Sequence, residues 1–171
     1  SDLRGRKVRV VPDQPLTDFW RVAHTAPTPI PLSSLYDAFA NGQVDAMHID
    51  FENTLKQKFF AHAGSVLESN HMIFPMVAVA SEKSWVSFSE SDQALLLNIM
   101  SARLAELRDT YAALDPQFRD ELQAEGVQIN TTDESFFAEA AALWEQKWAR
   151  LSPFISDLKA EAELLTGGSS I

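Results

Sequence analysis

The sequence contains no cysteine, which excludes disulfides, thiolate catalysis and cysteine-ligated zinc sites. It also has few basic residues: 14 lysines and arginines stand against 24 aspartates and glutamates, so the formal net charge is −10. Binding to nucleic acid needs clustered basic side chains, whereas those of this sequence are scattered. No apolar run approaches the roughly 20 residues that cross a bilayer. What remains is an apolar share of 46%, typical of a globular protein with a hydrophobic core.

The first part of the chain alternates between strand-like and helix-like segments, a pattern typical of α/β crossover units. Short β-branched or continuous apolar runs predict the strands, and apolar residues at intervals of three and four predict the helices. Pro75, inside the last predicted strand, indicates an edge position or a bend. The predicted strands are residues 7–11, 44–49, 66–67 and 73–80; the predicted helices are residues 16–24, a helix capped by Ser33 or Ser34 that stops at Asn41 and Gly42, and a helix that buries Phe51, Leu55 and Phe59.

The second half is predicted to be mainly helical. Ser89 begins a near-capping box and a helix that runs to about Ala113. Asp115 and Pro116 then predict the start of a separate helix, because proline is favoured at the first helical position. The remaining predictions are the end of that helix at Gly126, a strand at residues 127–129, and a helical region capped by Thr132 and interrupted at Ser152 and Pro153.

Trp144 and Trp148 lie four residues apart in that last helical region. They are predicted to form an amphipathic face that packs on the sheet, since this is the common role of such a stripe. An aromatic box for a ligand is the alternative interpretation.

Several stretches, in a fixed order, resemble the DctP-like family of TRAP transporter solute-binding proteins. Residues 2–10 (DLRGRKVRV) are similar to that family's DLKGLKIRV, and the segment PTPIP followed by SSLYDAFAN is similar to its PTPM segment and the helix after it. Further similar stretches are residues 42–46 (GQVDA), 57–59 (QKF), 70–71 (NH), 80–85 (ASEKSW) and 91–93 (SDQ).

The resemblance implies an α/β fold: a periplasmic-binding-protein-like lobe with a mixed sheet flanked by helices, and long bracing helices in the C-terminal half. It implies a division into residues 1–80 (solute-binding lobe), 81–165 (bracing and C-terminal helical region) and 166–171 (flexible tail). Family members begin with another lobe. Whether this chain is a fragment, one of two polypeptides or a shortened relative stays open.

The implied function is binding rather than catalysis, in the periplasm and without a cofactor. The protein would capture a small organic acid and deliver it to the subunits of a TRAP membrane permease. The alternative is an isolated lobe that serves as a dimerising or structural module, because sheet edges and helices freed of their lobe associate readily. Thermal-shift screening and light scattering distinguish the two hypotheses.

Arg9 is the first candidate site residue. The resemblance places it where the family's arginine forms a bidentate salt bridge with the ligand carboxylate, and a planar guanidinium suits that geometry. Asp13 lies where relatives often carry Asn, although it also suits a local cap in a turn. By the same resemblance, Leu32 lies where members with a sialic-acid-like or dicarboxylate site often have a Phe stacked on the ligand. Ile49 lies where the family has an Asn that hydrogen-bonds the solute. His71 is a cleft residue or a buried, hydrogen-bonded histidine.

His48, Asp50 and Glu52 alternate along the chain. On a strand they would share one face and could form a metal site, which would suit a metal-dependent enzyme. The favoured interpretation is that a helix begins near Asp50, with Asp50 as its N-cap, so that the alternation fails. No metal site is therefore predicted.

Overall fold

Residues 3–73 and 77–165 are described by a computed structural model. The chain divides into two compact units. The first unit is discontinuous, since it contains the residues up to His71 and those from Val127 onward, and the second unit is Met72–Gly126. The predicted division at residue 80, with a flexible tail from residue 166, stays a prediction; the tail lies outside the described residues.

The first unit is built on a three-stranded parallel sheet with β1 in the middle. Strands β1 (Lys7–Val10), β2 (Ala26–Pro29) and β3 (Ala46–Met47) pair in the order β2-β1-β3. Because β1 has a neighbour on each side and helices above it, Val8 and Val10 are 1% and 0% exposed. The predicted α/β class is confirmed. Among the described residues every strand pair is parallel, so the antiparallel part of a mixed sheet is not seen there.

Helix α1 (Gln14–Val22) crosses from β1 to β2. The Asp13 carboxylate caps it by accepting a 2.8 Å hydrogen bond from the backbone N–H of Leu16. Its buried face includes Leu16, Phe19 and Trp20, as the periodicity predicted.

Helix α2 (Leu35–Ala40) follows a 3-10 turn at Leu32–Ser34. The predicted serine cap is wrong in one respect: Ser34 occupies the N-cap position, but its side chain makes no capping hydrogen bond. Its backbone continues the 3-10 turn instead of being extended, and an extended backbone is what lets a cap side chain reach the next turn. The helix stops where predicted, with Asn41 as C-cap and Gly42 at φ 67°.

Helix α3 (Phe51–Lys56) is shorter than predicted. Asp50 caps it, accepting a 2.7 Å hydrogen bond from the Asn53 N–H. The helix ends because Lys58 adopts a left-handed conformation at φ 56°, so Phe59 lies on a separate 3-10 turn, Phe59–His62. Phe59 is nevertheless buried, which confirms its core role while correcting its helix.

A second parallel pair, β4 (Val66–Glu68) with β5 (Ile129–Thr131), joins the two segments of the first unit. The strand predicted at residues 127–129 therefore lies two residues later. The strand predicted at residues 73–80 is wrong for the described part, residues 73 and 77–80, and Pro75 lies outside the described residues. These residues have no partner strand among those described, and Ile73 and Val79 are 87% and 88% exposed.

The second unit contains α4 (Glu82–Trp85) and the long helix α5 (Glu90–Ala124). Ser89 caps α5 as predicted, accepting from the Asp92 N–H at 3.2 Å and donating to the Asp92 carboxylate at 2.7 Å. The predicted break near Asp115 is wrong, because the helix continues through Pro116. Helical turns are present on both sides of Pro116. Phe118 and Leu122, the buried residues of this helix, lie on the C-terminal side of the proline. Within the described residues, no helix is long and apolar enough to cross a membrane.

Helices α6 (Ala138–Trp148) and α7 (Phe154–Leu165) complete the first unit, separated at Ser152 and Pro153 as predicted. The predicted Thr132 cap is wrong by one residue: Asp133 accepts from the Ser135 N–H at 2.9 Å and starts a 3-10 turn, Glu134–Phe136. Helix α6 packs on α1, and the Trp144 indole N–H donates to the Pro15 carbonyl at 2.9 Å. Trp144 thus contacts helix α1, whereas packing of the tryptophan face on the sheet stays a prediction.

Candidate ligand site around Arg9

Arg9 lies across the carboxyl ends of all three strands of the central sheet. Its Nε donates to the Ile30 carbonyl at 2.8 Å, and its Nη1 donates to the His48 carbonyl at 3.4 Å. Ile30 directly follows β2 and His48 directly follows β3. The order β2-β1-β3 reverses at β1, which makes this edge a topological switch point, where open parallel sheets bind their ligands.

The Arg9 side chain is buried without a carboxylate. All 14 basic residues are within the described ranges, and Arg9 is the only one of them that is buried, at 4% exposure. No ion pair between Arg9 and an acidic side chain is formed among the described residues. Burial lowers the pKa of the Arg9 guanidinium. A buried cation whose hydrogen-bond partners, among the described residues, are two carbonyls is suited to an anion.

Five aromatic side chains pack against one another and form what we call the aromatic cluster: Phe19, Trp20, His48, His71 and Phe137. His48 connects this cluster to Arg9, because its carbonyl accepts from the Arg9 Nη1. The His71 ring lies 5.0 Å from the His48 ring, 4.7 Å from Phe137 and stacks on Phe19 at 5.5 Å. His71 Nδ1 and Ser69 Oγ are 2.7 Å apart. These ring contacts connect helix α1, the segment after β3 and the start of α6.

Both histidines of the cluster are uncharged at neutral pH. Burial lowers the pKa of His48 to about 4, with smaller contributions from the charges of His71 and Arg9 and a small opposing effect of Asp50. Burial lowers the pKa of His71 to about 4 as well. His71 Nε2 and the Trp20 indole N–H are buried and have no hydrogen-bond partner among the described residues.

The predicted site residues divide into two groups. Arg9 and His71 both belong to the neighbourhood of His48, one through the His48 carbonyl and the other through its ring. Asp13 is an exposed helix cap, which agrees with the local interpretation of its role. Leu32 is 45% exposed at the start of the 3-10 turn, and Ile49 is half-buried next to His48.

Sequence reasoning missed most of what surrounds Arg9. The Ile30 carbonyl that orients the guanidinium could have been found, since Ile30 directly follows the strand beside β1. Phe137 had no such signal, because it comes from a segment more than a hundred residues away.

The possible metal triad does not assemble. Asp50 caps α3 and Glu52 lies in its first turn, where it pairs with Lys56 at 2.5 Å. Among the residues that the structure describes, no group of three or more His, Asp or Glu side chains could hold a metal ion. The start of a helix at Phe51 therefore breaks the alternation, as the favoured interpretation expected.

Comparison with known proteins identifies the family. The sequence profile of DctP, the bacterial extracellular solute-binding protein family 7, matches residues 1–151. This chain belongs to that family. Over 113 residues it is 20% identical to the C4-dicarboxylate-binding periplasmic protein DctP of Shewanella loihica, a match that covers 66% of this chain and 34% of that protein.

Solved structures of TRAP periplasmic solute-binding proteins share the fold. The protein from Xanthobacter autotrophicus, with bound β-D-galacturonate, superposes with a TM-score of 0.82 at 19% identity and covers 91% of this chain and 52% of its own. The protein from Roseobacter denitrificans, with bound β-D-glucuronate, has a TM-score of 0.81 at 22% identity, with coverages of 92% and 52%. The protein from Shewanella oneidensis, with bound succinate, has a TM-score of 0.77 at 20% identity, with coverages of 88% and 50%. The chain thus spans about half the length of these structures.

Proposed function

We propose that this family 7 protein is the solute-binding component of a TRAP transporter and captures an organic acid by a salt bridge between Arg9 and the acid's carboxylate. The observation that carries the proposal is the buried Arg9 guanidinium, which has no acidic partner among the described residues. An anionic ligand would supply the missing counter-charge. The protein acts in the periplasm and delivers the acid to a membrane permease, as the family membership supports.

The hydrogen bonds of Arg9 prepare the guanidinium for a carboxylate. Nε is engaged at 2.8 Å by the Ile30 carbonyl, whereas Nη1 is only weakly engaged by the His48 carbonyl at 3.4 Å. Nη2 donates no hydrogen bond among the described residues. The edge formed by Nη1 and Nη2 therefore keeps parallel donors for two carboxylate oxygens. The two carbonyls fix the plane of the group before the ligand arrives, so little rotamer entropy is lost on binding.

The ligands of similar structures support an acid as the solute. The bound galacturonate, glucuronate and succinate of three such proteins share a carboxylate and differ in the rest of the molecule. A carboxylate is thus the group that one arginine can recognise across different solutes. Domain closure around the ligand, common in periplasmic binding proteins, would bury that salt bridge further.

Thermal-shift screening of the intact protein against organic acids tests the Arg9 salt bridge. An acid at 100 times its Kd stabilises a protein by about 2.7 kcal/mol, which raises the Tm by about 5–10 °C for a domain of this size. We expect such a shift in the wild type and none in Arg9→Gln. Arg6→Gln is the matched control, since Arg6 is exposed and lies just before the same strand.

Arg9→Lys separates charge from geometry, because lysine keeps the positive charge but lacks the planar fork. We expect this variant to retain part of the shift. Circular dichroism shows whether each variant is folded. An acid that stabilises folded Arg9→Gln as much as the wild type would refute the arginine role.

A second candidate, a dimerising module, is favoured by the exposed face of α5. Leu97, Met100, Leu104, Leu107 and Tyr111 alternate three and four residues apart, the spacing of a coiled-coil seam, and each is 37–58% exposed. A second copy of the chain could cover this seam with its own α5. Light scattering decides: a monomer that binds acids leaves the dimer hypothesis without support, whereas a stable dimer that binds none favours it.

A further inference from the structure

We propose that Pro31 is a positioning residue of the acid site, because it fixes the Ile30 carbonyl that orients the Arg9 guanidinium. Arg9 Nε donates to this carbonyl at 2.8 Å, the shorter of its two hydrogen bonds to carbonyls. This role rests on the proposed function, in which Arg9 binds the acid. It extends that function to a residue that acts through Arg9, and it depends only on contacts within the first unit.

The prolines of β2 and of the residues after it alternate, and they leave the pairing with β1 intact. Pro27, Pro29 and Pro31 occupy every second position. The N–H groups of Ala26 and Ile30, at positions between and before the prolines, donate to carbonyls of β1 or of the residue before it at 2.8 and 3.1 Å. Because backbone N–H groups alternate in direction along a strand, each proline nitrogen faces away from β1. The prolines therefore stiffen this segment without removing a hydrogen bond from the pair.

Pro31 acts on the Ile30 carbonyl directly, since that carbonyl belongs to the peptide group between the two residues. The direction of a peptide plane is set by ψ of the residue before it and φ of the residue after it. The pyrrolidine ring locks φ of Pro31, which is −64°. The same ring restricts Ile30 to extended conformations and so limits ψ of Ile30. One residue thus restricts both dihedral angles that aim the carbonyl at Arg9.

The Ile30–Pro31 peptide group is also anchored at both ends. The Ile30 side chain is 7% exposed and lies in a core cluster with Ala38 and Val44. On the other side, the Pro31 carbonyl accepts from the Ser34 N–H at 3.1 Å, where the 3-10 turn begins. The peptide group therefore cannot rotate without disturbing the core or the turn.

The other carbonyl partner of Arg9 lacks a proline. The His48 carbonyl accepts from Nη1 at 3.4 Å, and the residue after it is Ile49. The shorter bond from Nε to the Ile30 carbonyl is consequently the one that fixes the plane of the guanidinium. A guanidinium whose plane is fixed before binding loses less entropy when a carboxylate binds, so its affinity for the acid is higher.

Variants of Pro31 test this role in the intact protein. Pro31→Ala and Pro31→Gly increase the backbone freedom in two steps and leave Arg9 unchanged. Pro29→Gly is the matched control, since Pro29 is also exposed and flanks Ile30, but contributes to neither dihedral angle that aims the carbonyl. Titration calorimetry uses whichever of succinate, glucuronate and galacturonate binds the wild type most tightly. We expect Kd to rise about threefold in Pro31→Ala, about tenfold in Pro31→Gly and less than about twofold in Pro29→Gly.

The Arg9 Nε–H gives a second measurement that needs no solute. Its exchange with water, followed by NMR on protein with isotope-labelled arginine, is slow while the group is buried and hydrogen-bonded. The signal is assigned by its loss in Arg9→Lys. We expect exchange about fivefold faster in Pro31→Gly than in the wild type, and unchanged in Pro29→Gly. Urea denaturation compares the stability of the two glycine variants, and Pro31→Ala replaces Pro31→Gly in both measurements if the latter does not fold.

The outcomes separate the role of Pro31 from the proposed function. Equal Nε–H exchange in the wild type and Pro31→Gly overturns the role of Pro31, even where Arg9→Gln abolishes acid binding. Equal weakening of binding by Pro29→Gly and Pro31→Gly overturns it as well. If no acid binds the wild type, the proposed function is wrong, whereas faster exchange in Pro31→Gly still supports the orientation of Arg9 by Pro31.

Discussion

Arg9 shows how a single residue is governed by its place in the sheet. Side chains alternate along a strand, so Val8 and Val10 point to one face and Arg9 to the other. Strand β1 is the central strand of the sheet, and Arg9 is 4% exposed. The charge is therefore held at the carboxyl edge of the sheet by two carbonyls, which is the feature that suggests an anionic ligand.

At the residue scale, His71 predicts an acid-sensitive stability. Its pKa of about 4 in the folded protein lies below the ordinary value of 6.5, so the unfolded chain binds the proton more readily. The contribution of this histidine to the free energy of unfolding is consequently complete above pH 6.5. It is lost as the pH drops from 6.5 to 4, by roughly 2–3 kcal/mol for one histidine. His48, which has the same direction of shift, adds to this loss.

The variant His71→Phe tests the effect, because phenylalanine preserves the ring packing with Phe19 and Phe137 and removes the titration. We expect the loss of unfolding free energy between pH 7 and pH 5 to shrink by about half, as measured by urea denaturation. His24→Asn is the control, since His24 is exposed and asparagine tolerates its φ of 62°. Equal pH dependence in wild type and His71→Phe would contradict the assignment.

At the scale of an element, α5 raises the question of why a proline does not break it. Proline removes one helical hydrogen bond and clashes with the carbonyl four residues earlier, here that of Ala112, at a cost of about 3 kcal/mol. The sequence therefore predicted two helices, with Asp115 as cap. The structure has one helix of 35 residues, capped by Ser89 and buried near its end at Phe118 and Leu122.

The substitution Pro116→Ala distinguishes the two arrangements. In a continuous helix it restores a hydrogen bond and relieves the clash, so we expect the free energy of unfolding to rise by about 1–2 kcal/mol after the entropy gained by the unfolded chain is subtracted. If Pro116 began a separate helix, alanine would give no gain. Thermal unfolding measures the difference, and Ala113→Gly in the same helix serves as a control that lowers stability by about 1 kcal/mol.

At the scale of the whole molecule, the first unit is closed by contacts between its two distant segments. Asp18 on α1 is 4% exposed and accepts from Arg21 at 2.8 Å, from Gln14 at 2.9 Å and from Lys147 on α6. Hydrogen bonding to Lys147 is the main cause that holds the pKa of Asp18 below its ordinary value. This ion pair links α1 to α6, two helices of the first unit that are separated in sequence by the residues of the second unit.

Lys147→Met removes that link while preserving the length of the side chain. Lys147 is half-exposed, so the expected cost is about 1–2 kcal/mol rather than that of a fully buried pair. The cost is present above the ordinary pKa of aspartate and disappears as the pH falls and the Asp18 carboxylate is protonated. Urea unfolding at pH 7 measures the cost of the substitution, and urea unfolding at pH 3 measures its loss on protonation of Asp18. Lys159→Met, which breaks a more exposed pair with Glu145, should cost less than about 0.5 kcal/mol; an equal cost would refute the role of Asp18 burial.

The sequence alone determined the local features of this protein. Helix caps at Ser89 and Asp50, the stop at Gly42 and the buried face of α1 depend on neighbours a few residues apart, and each was predictable. The α/β class followed from the alternation of strand and helix, and ordered motifs identified the family. The resemblance made Arg9 a candidate site residue, but the sequence did not predict that Arg9 is buried.

Only the tertiary structure decided what surrounds Arg9. The Ile30 and His48 carbonyls reach it because β2 and β3 pair on opposite sides of β1, and strand order is not encoded in any local pattern. Phe137 completes the aromatic cluster from a segment beyond the second unit. The continuity of α5 through Pro116 likewise depends on the whole 35-residue helix, whereas the local preference of proline predicted a break. Local patterns depend on short-range sterics and hydrogen bonds, whereas a ligand site depends on long-range pairing.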